Sequence, residues 1–398
     1  MVDRTFIKNF NSTIIGMMLL SPLLSMPFIL YGMSLGIRKA YTYFAIFLGI
    51  VAYLTAPRAD LFHHARQYYY YIGKSWDYLW DRTISADFVI PVTEWYMANH
   101  NIPFEFLRLV MIPVSFIILN KIFFTLVDES EKEYSNREIN FWYSAFFLSY
   151  PFYFLIAGTR YCFAACFMLY GMFQLIKYGN YVRALLFFCI AVCIHFSMML
   201  FIAVGIIFIY AQFNKYWVGL FCIMAVVLRQ QYVSVFGAFL MENELRGVGY
   251  IGEGIWASGA KLSMKAVLYY VGQSLCTLLP LVYVLIKRFD GYNKWNYLIV
   301  SLFFLILLNL GQFSLYVRTL LILSTVFIFY LITIEEKKAL SISFKRIVMA
   351  GAVIIFAFNI YTNRVMISLS KYDEICYPLP FILIHHFDEY WIFQINKK

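Results

Sequence analysis

The chain has 398 residues, 62% of them hydrophobic, 21% aromatic and only 14% charged, with a formal net charge of +10. Soluble domains run at about 45–50% apolar and about 25% charged, which excludes a water-soluble core and implies a chain solvated mainly by lipid. The basic excess is no nucleic-acid patch, because it falls in short breaks between apolar runs, as at Arg38-Lys39, Lys287-Arg288 and Lys337-Lys338, where it orients membrane helices.

Apolar runs near the roughly 20 residues of one crossing lie at 12–33, 40–56, 107–126, 139–156, 160–177, 184–210, 216–233, 265–286, 295–311, 318–334 and 347–362. The first is longer than the apolar stretch of a cleavable signal and is followed by Arg38-Lys39 rather than a small-residue cleavage site. It reads as a retained helix bent by Pro22 and Pro27. The expected fold class is all-α: a single integral domain over 1–398, a polytopic transmembrane helix bundle of about 11–12 spanning segments.

Placing Arg38-Lys39 in the cytoplasm and alternating puts 57–106 outside, Asp128–Glu138 inside, Arg160 outside and Lys177 and Arg183 inside. A single crossing over 184–210 would then carry Lys287-Arg288-Lys294 and the Lys337–Arg346 cluster outside, against the positive-inside rule. Two short helices turning near His195 return both clusters to the cytoplasm. They also gather the three longest polar segments, the loops 57–106 and 230–264 and the tail 363–398, on the outer side. A single tilted crossing is the alternative. Arg4 and Lys8 fit poorly, since one first helix leaves them outside.

The loop 57–106 mixes charge with aromatic rings. It holds Arg58, Asp60, His63, His64, Arg66, Asp77, Asp81, Arg82, Asp87 and Glu94 beside Tyr68-Tyr69-Tyr70-Tyr71, Trp76, Tyr78, Trp80, Trp95 and Tyr96. Rings with polar tips suit the headgroup layer, but a belt does not account for the carboxylates. Sugar rings stack on aromatic faces and their hydroxyls donate to carboxylates, so Asp87, Glu94, Trp95 and Tyr68 are candidate sugar-binding residues. Asp60, nearest the membrane edge and close to Arg58, is a candidate catalytic base. Its i, i+3 spacing to His63 has nothing nearby to complete a metal site.

Further along, Arg160 sits in Gly158-Thr159-Arg160-Tyr161 between two apolar runs. A cation at a helix N-terminus has no dipole reason to be there, but an anion would bring the guanidinium and the first-turn N–H groups together. Snorkelling to the interface is the bland alternative. Arg318, in Tyr316-Val317-Arg318-Thr319, interrupts apolar sequence on the same predicted side; with Arg160 and Arg58 it could hold a diphosphate. His195, with apolar neighbours on both sides, is either a histidine bonded to a helix carbonyl or a base or donor at the outer turn.

The seven cysteines form neither a disulfide framework nor a CxxC site. There is no P-loop, GxSxG or HExxH, and no internal repeat of the kind many transporters carry.

Gly158-Thr159-Arg160-Tyr161-Cys162-Phe163-Ala164 followed by His195-Phe196-Ser197 resembles the G-x-R-x-x-x-A and H-x-S pattern of the EpsG-like, Wzy-type polysaccharide polymerases. Asp87-Phe88-Val89-Ile90-Pro91 with Ile102-Pro103-Phe104-Glu105-Phe106-Leu107-Arg108 is similar to that family's loop and the start of the next helix, and Tyr316-Val317-Arg318 resembles its late arginine. The likeness covers about residues 40–335. It departs at Asp60, followed here by Leu61-Phe62 where the family often has tyrosines. The resemblance implies a GT-C-like bundle in the bacterial inner (plasma) membrane. It implies a metal-independent glycosyltransferase without cofactor that joins undecaprenyl-diphosphate-linked repeat units into O-antigen or capsular polysaccharide. Its partners would be those lipid-linked glycans, the bilayer and a chain-length regulator protein, with no nucleic acid. A glycan ligase, a flippase for lipid-linked oligosaccharide and a membrane acyltransferase are the rival readings.

Overall fold

The computed structural model describes residues 4–58, 60–83, 87–150, 152–242, 264–288, 293–310, 312–384, 386–387 and 392. These residues form helices and no strand. Four helices are long and apolar enough to cross a membrane, Glu105–Asp128, Tyr270–Arg288, Leu315–Lys337 and Ile342–Thr362, which marks a membrane protein. Shorter apolar helices accompany them at Pro22–Ser34, Tyr181–Ile194, Met198–Ala211 and Lys294–Leu308.

The run 12–33 is not one bent helix. Helix α1 (Arg4–Leu20) stops at Ser21, whose backbone is extended (φ −167°, ψ 122°), and α2 (Pro22–Ser34) starts with proline at its first position. The ring of Phe10 packs 6.1 Å from that of Tyr31 and fills the space a Cβ on Gly32 would need. Along one rod those positions would be separated by roughly 30 Å, so α1 folds back on α2. Arg4 and Lys8 therefore come to the end that carries Arg38, which removes their conflict with the charge rule.

Helix α3 (Arg38–Tyr53) leads into three short helices that make up most of the 57–106 segment: α4 (Asp60–Tyr71), α5 (Trp76–Thr83) and α6 (Val89–Asn99). The long α7 (Glu105–Asp128) packs against α3, where the missing side chain of Gly49 admits the ring of Pro113. Helix α8 (Asn136–Ser149) opens with a capping box between Ser135 and Glu138. The run 139–156 breaks near Tyr150 into a second piece, α9 (Phe152–Ala157), and α10 (Thr159–Tyr178) begins two residues beyond it.

The segment 184–210 is a hairpin. Helices α11 (Tyr181–Ile194) and α12 (Met198–Ala211) are separated at His195–Ser197, and the rings of Tyr181 and Tyr210 stack 6.4 Å apart. A continuous helix would set those two residues more than 40 Å apart, so the single tilted crossing is set aside. The bundle continues through α13 (Lys215–Glu242), α14 (Met264–Arg288), α15 (Lys294–Leu308), α16 (Phe313–Lys337) and α17 (Ile342–Thr362). Helix thus extends well into the expected 230–264 loop, whose remainder, 243–263, lies outside the described residues. The tail carries α18 (Arg364–Ser368), a 3-10 turn (Tyr372–Cys376) and α19 (Leu379–Ile384).

The connections sort onto two ends. At the basic end Arg38 pairs with Asp128 and Lys177 with Glu129. Glu335, 2% exposed, is held there by Lys132 at 3.1 Å, by Lys345 and by the indole N–H of Trp142 at 2.6 Å. One buried carboxylate with two cations and a donor thus ties α8, α16 and α17 to the α7–α8 connection. At the opposite end the tail lies over the α3–α4 turn. The Lys371 N–H donates to the Leu54 carbonyl (2.9 Å) and the Ala56 N–H to Ser370 Oγ (2.8 Å), while Tyr53 and Tyr69 donate to the carbonyls of Leu383 and Phe387. Beneath them Arg108, 0% exposed, donates to the Thr55 carbonyl and lies 3.8 Å from Glu105. It thereby ties the start of α7 to the turn that follows α3.

The α1 hairpin makes a labelling pattern checkable in a background stripped of native cysteines. A cysteine at Lys8 is expected to react with an impermeant thiol reagent from the same side as one at Lys338 and from the side opposite one at Trp80. Labelling of the Lys8 position from the Trp80 side would mean a single first crossing.

Candidate functional site

The site is built at the end opposite the basic cluster, from the inside of α4 outward. Leu61, His64, Ala65, Tyr68 and Tyr71 are buried on this helix, a 3–4 spacing that gives it one inward face. Asp60 and His64, four apart, share a side of it; His63 falls on the exposed side. Helix α6 packs alongside and delivers Glu94, which is 0% exposed. His64 Nδ1 lies 2.7 Å from Glu94 Oε1 and its Nε2 4.0 Å from Asp60 Oδ2. An imidazole is thus held between a buried carboxylate and a half-buried one.

Burial alone disfavours the charged form of His64. The attraction and hydrogen bond of Glu94 and the nearby charge of Asp60 outweigh it, against an opposing push from Arg160, and His64 titrates above the ordinary histidine value. The second carboxylate oxygen of Glu94 is buried and has no hydrogen-bond partner.

The arginines arrive from the other side. Gly158 caps α10, so Arg160 lies in its first turn, where the N–H groups have no partner within the helix. Its guanidinium donates to Asp87 Oδ2 at 3.1 Å, and its Nε is buried without a partner. On the next residue the buried ring of Tyr161 packs edge-on to His195 at 5.4 Å and lies 5.0 Å from the guanidinium carbon of Arg318, within cation–π range. Arg160, Arg318 and His64 all lie close enough to His195 to act on it electrostatically. His195 closes the α11–α12 turn, and its Nδ1 accepts from the Ser197 N–H at 3.3 Å with the Ser197 hydroxyl 2.9 Å away. A nitrogen that accepts a backbone N–H carries no proton, so neutral His195 presents Nε2–H as a donor.

The residues singled out in sequence therefore divide. Asp60, Asp87, Arg160, His195 and Arg318 are brought to one place, and Arg58 precedes α4 half-buried. The three other candidates for sugar contact hold bonds within the fold. Glu94 is closed off behind His64 and would have to leave it to meet a sugar. Tyr68 is buried and donates to the Ile102 carbonyl at 2.8 Å. Trp95 donates to the Lys74 carbonyl at 2.8 Å, though its ring also meets Trp76 at 5.2 Å; Trp76 and Trp80 are the exposed indoles of that surface. Sequence reasoning missed the His64–Glu94 pair and the place of Tyr161 between two functional groups. No sequence signal pointed to Glu94; only the i, i+4 relation of Asp60 to His64 was there to be read.

Compared with protein-family models, with curated proteins and with solved structures, the chain matches none of them.

The His64–Glu94 contact has a pH signature. A folded-state pKa raised above the unfolded one gives stability that is fully present below the unfolded value and lost as pH rises through the folded value. At about pH 5.5, removing one partner from a buried ion pair costs roughly 3–5 kcal/mol. His64→Gln is therefore expected to lower the thermal unfolding midpoint most at acidic pH, with the gap to wild type narrowing above about pH 6.5. A gap that stays constant with pH would show that no ion pair is formed.

Proposed function

We propose that the chain is a membrane glycosyltransferase that polymerises undecaprenyl-diphosphate-linked oligosaccharide repeat units into O-antigen or capsular polysaccharide at the outer face of a bacterial plasma membrane. The observation that carries this reading is the meeting of Arg160 and Arg318 around Tyr161 and His195 at one end of the bundle. The resemblance of Gly158–Ala164, His195–Ser197 and Tyr316–Arg318 to the EpsG-like, Wzy-type polymerases points the same way. On this reading the basic end is cytoplasmic and the bundle a GT-C-like scaffold of alternating crossings. The lipid-linked glycans and the bilayer are its partners, a chain-length regulator a further one.

The growing chain on its lipid diphosphate is the donor and a new lipid-linked repeat unit the acceptor. Departure of the diphosphate develops negative charge on phosphate oxygens. Two guanidinium groups and the Nε2–H of His195 are suited to receive that charge in a setting mostly shielded from water. In the resting protein Asp87 occupies Arg160, so phosphate binding exchanges one anion for another and avoids stranding a bare cation. The attacking hydroxyl must lose a proton, and the sequence offers Asp60 and His195 as bases.

The test uses purified protein in liposomes with lipid-linked saccharides extracted from cells lacking this chain, read as a ladder on a gel. Wild type is expected to lengthen the products. Arg160→Ala and Arg318→Ala are each expected to slow elongation about 10²–10³-fold, the usual cost of one lost donor to a developing oxyanion. Transbilayer movement of the lipid without any lengthening would refute the assignment.

A further inference from the structure

We infer that His64, oriented by Glu94, is the group that takes the proton from the attacking hydroxyl, with Asp60 guiding that hydroxyl to its Nε2; this rests on the glycosyl-transfer reading above. The two bases expected from sequence suit the task less well. His195 has its Nδ1 lone pair occupied by the Ser197 N–H, leaving Nε2–H as a donor, and two guanidinium groups act on it. It is placed to serve the departing anion. Asp60 is half-buried and touches solvent, well suited to accept a hydrogen bond from a sugar, and the base beside it is His64.

His64 has the missing arrangement. Its Nδ1 faces Glu94 at 2.7 Å. An Nδ1–H donated to a carboxylate fixes the tautomer and leaves the Nε2 lone pair facing Asp60, 4.0 Å away. A fixed imidazole backed by a buried carboxylate is the base-and-orienter pair of acyl-transfer enzymes, assembled here on a different scaffold. Glu94 has no solvent exposure and one partnerless oxygen, so the imidazolium formed by proton transfer would be neutralised from behind. The charged and titratable groups acting on His64 are Asp60 on its own helix, Glu94 from α6, Arg160 from α10 and His195 from the α11–α12 turn.

The step balances without a co-reactant. The acceptor hydroxyl gives its proton to His64 Nε2 and its oxygen forms the new bond to the donor's anomeric carbon. The bond from that carbon to the diphosphate oxygen breaks, and its electron pair leaves on the diphosphate, held by Arg160 and Arg318. The proton then passes from His64 to water past half-exposed Asp60. Glu94 is a positioning residue here, since it acts through His64.

The experiment is the pH dependence of elongation in the liposome assay with extracted lipid-linked saccharides. It compares wild type, His64→Gln, Glu94→Gln and Arg160→Ala, each with its elution profile and unfolding midpoint recorded. His64→Gln is expected to lose about 10²–10⁴-fold in rate, the usual contribution of a general base. Because that variant also disturbs folding, Glu94→Gln decides the matter. It keeps the shape and a hydrogen bond but removes the charge. The acidic limb of its kcat/KM profile is therefore expected to move to lower pH with a lower plateau, whereas a purely structural role would leave the limb in place. Wild type that elongates, Arg160→Ala that does not, and Glu94→Gln with an unmoved limb would overturn the role of His64 while leaving the glycosyl-transfer reading intact. Wild type that does not elongate would overturn both.

Discussion

An ionised carboxylate shut away from water must be neutralised where it stands, and that constraint organises both ends of this protein. At one end Glu335 is held by Lys132, Lys345 and the Trp142 indole. At the other Glu94 is held by His64 and Glu105 lies beside Arg108. The carboxylates differ in how completely they are paired. Glu335 has a partner on each oxygen. The Glu94–His64–Asp60 row leaves one carboxylate oxygen without a partner, the neighbouring Arg160 has a buried Nε with none, and Glu105 Oε1 and Arg108 Nη2 are likewise unpaired.

The backbone makes that placement possible by stopping helices at chosen points. Gly158 breaks the chain before α10 and sets Arg160 in a first turn, while His195 and Ser197 occupy the turn of a hairpin whose two helices are 14 residues each. At about 1.5 Å per residue these are near 21 Å long, so neither helix alone matches a roughly 30 Å hydrocarbon core. The tail reinforces the end by bonding to the α3–α4 turn, which fixes the start of the helix that carries Asp60 and His64.

The large features were legible because composition and charge spacing are strong signals. Apolar runs separated by Arg38-Lys39, Lys287-Arg288 and Lys337-Lys338 point to the all-helical bundle, and the charge rule favours a turn near His195 over a single tilted crossing. The same rule flagged Arg4 and Lys8 as misplaced but did not supply the remedy, because Ser21-Pro22 reads equally as a kink or a reversal until Phe10 is seen against Tyr31. Arg160 and Arg318 stood out as cations between apolar runs. The pairing of His64 with Glu94 stayed hidden because 30 residues of chain, including α5, separate them, and nothing in a sequence states that α6 returns to α4. Residue type alone suggests Glu94, Trp95 and Tyr68 for sugar; that each also spends a polar atom on the fold is set by packing.

The proposed function stands on the arginine-bearing end receiving a lipid's diphosphate. The most direct measurement is a cryo-electron microscopy map of the protein in nanodiscs containing undecaprenyl diphosphate. The account predicts headgroup density in contact with the guanidinium groups of Arg160 and Arg318 and with His195 Nε2, and Asp87 displaced from Arg160. Density for the headgroup among Lys132, Arg288 and Lys345 at the opposite end, with Arg160 still bound to Asp87, would contradict it.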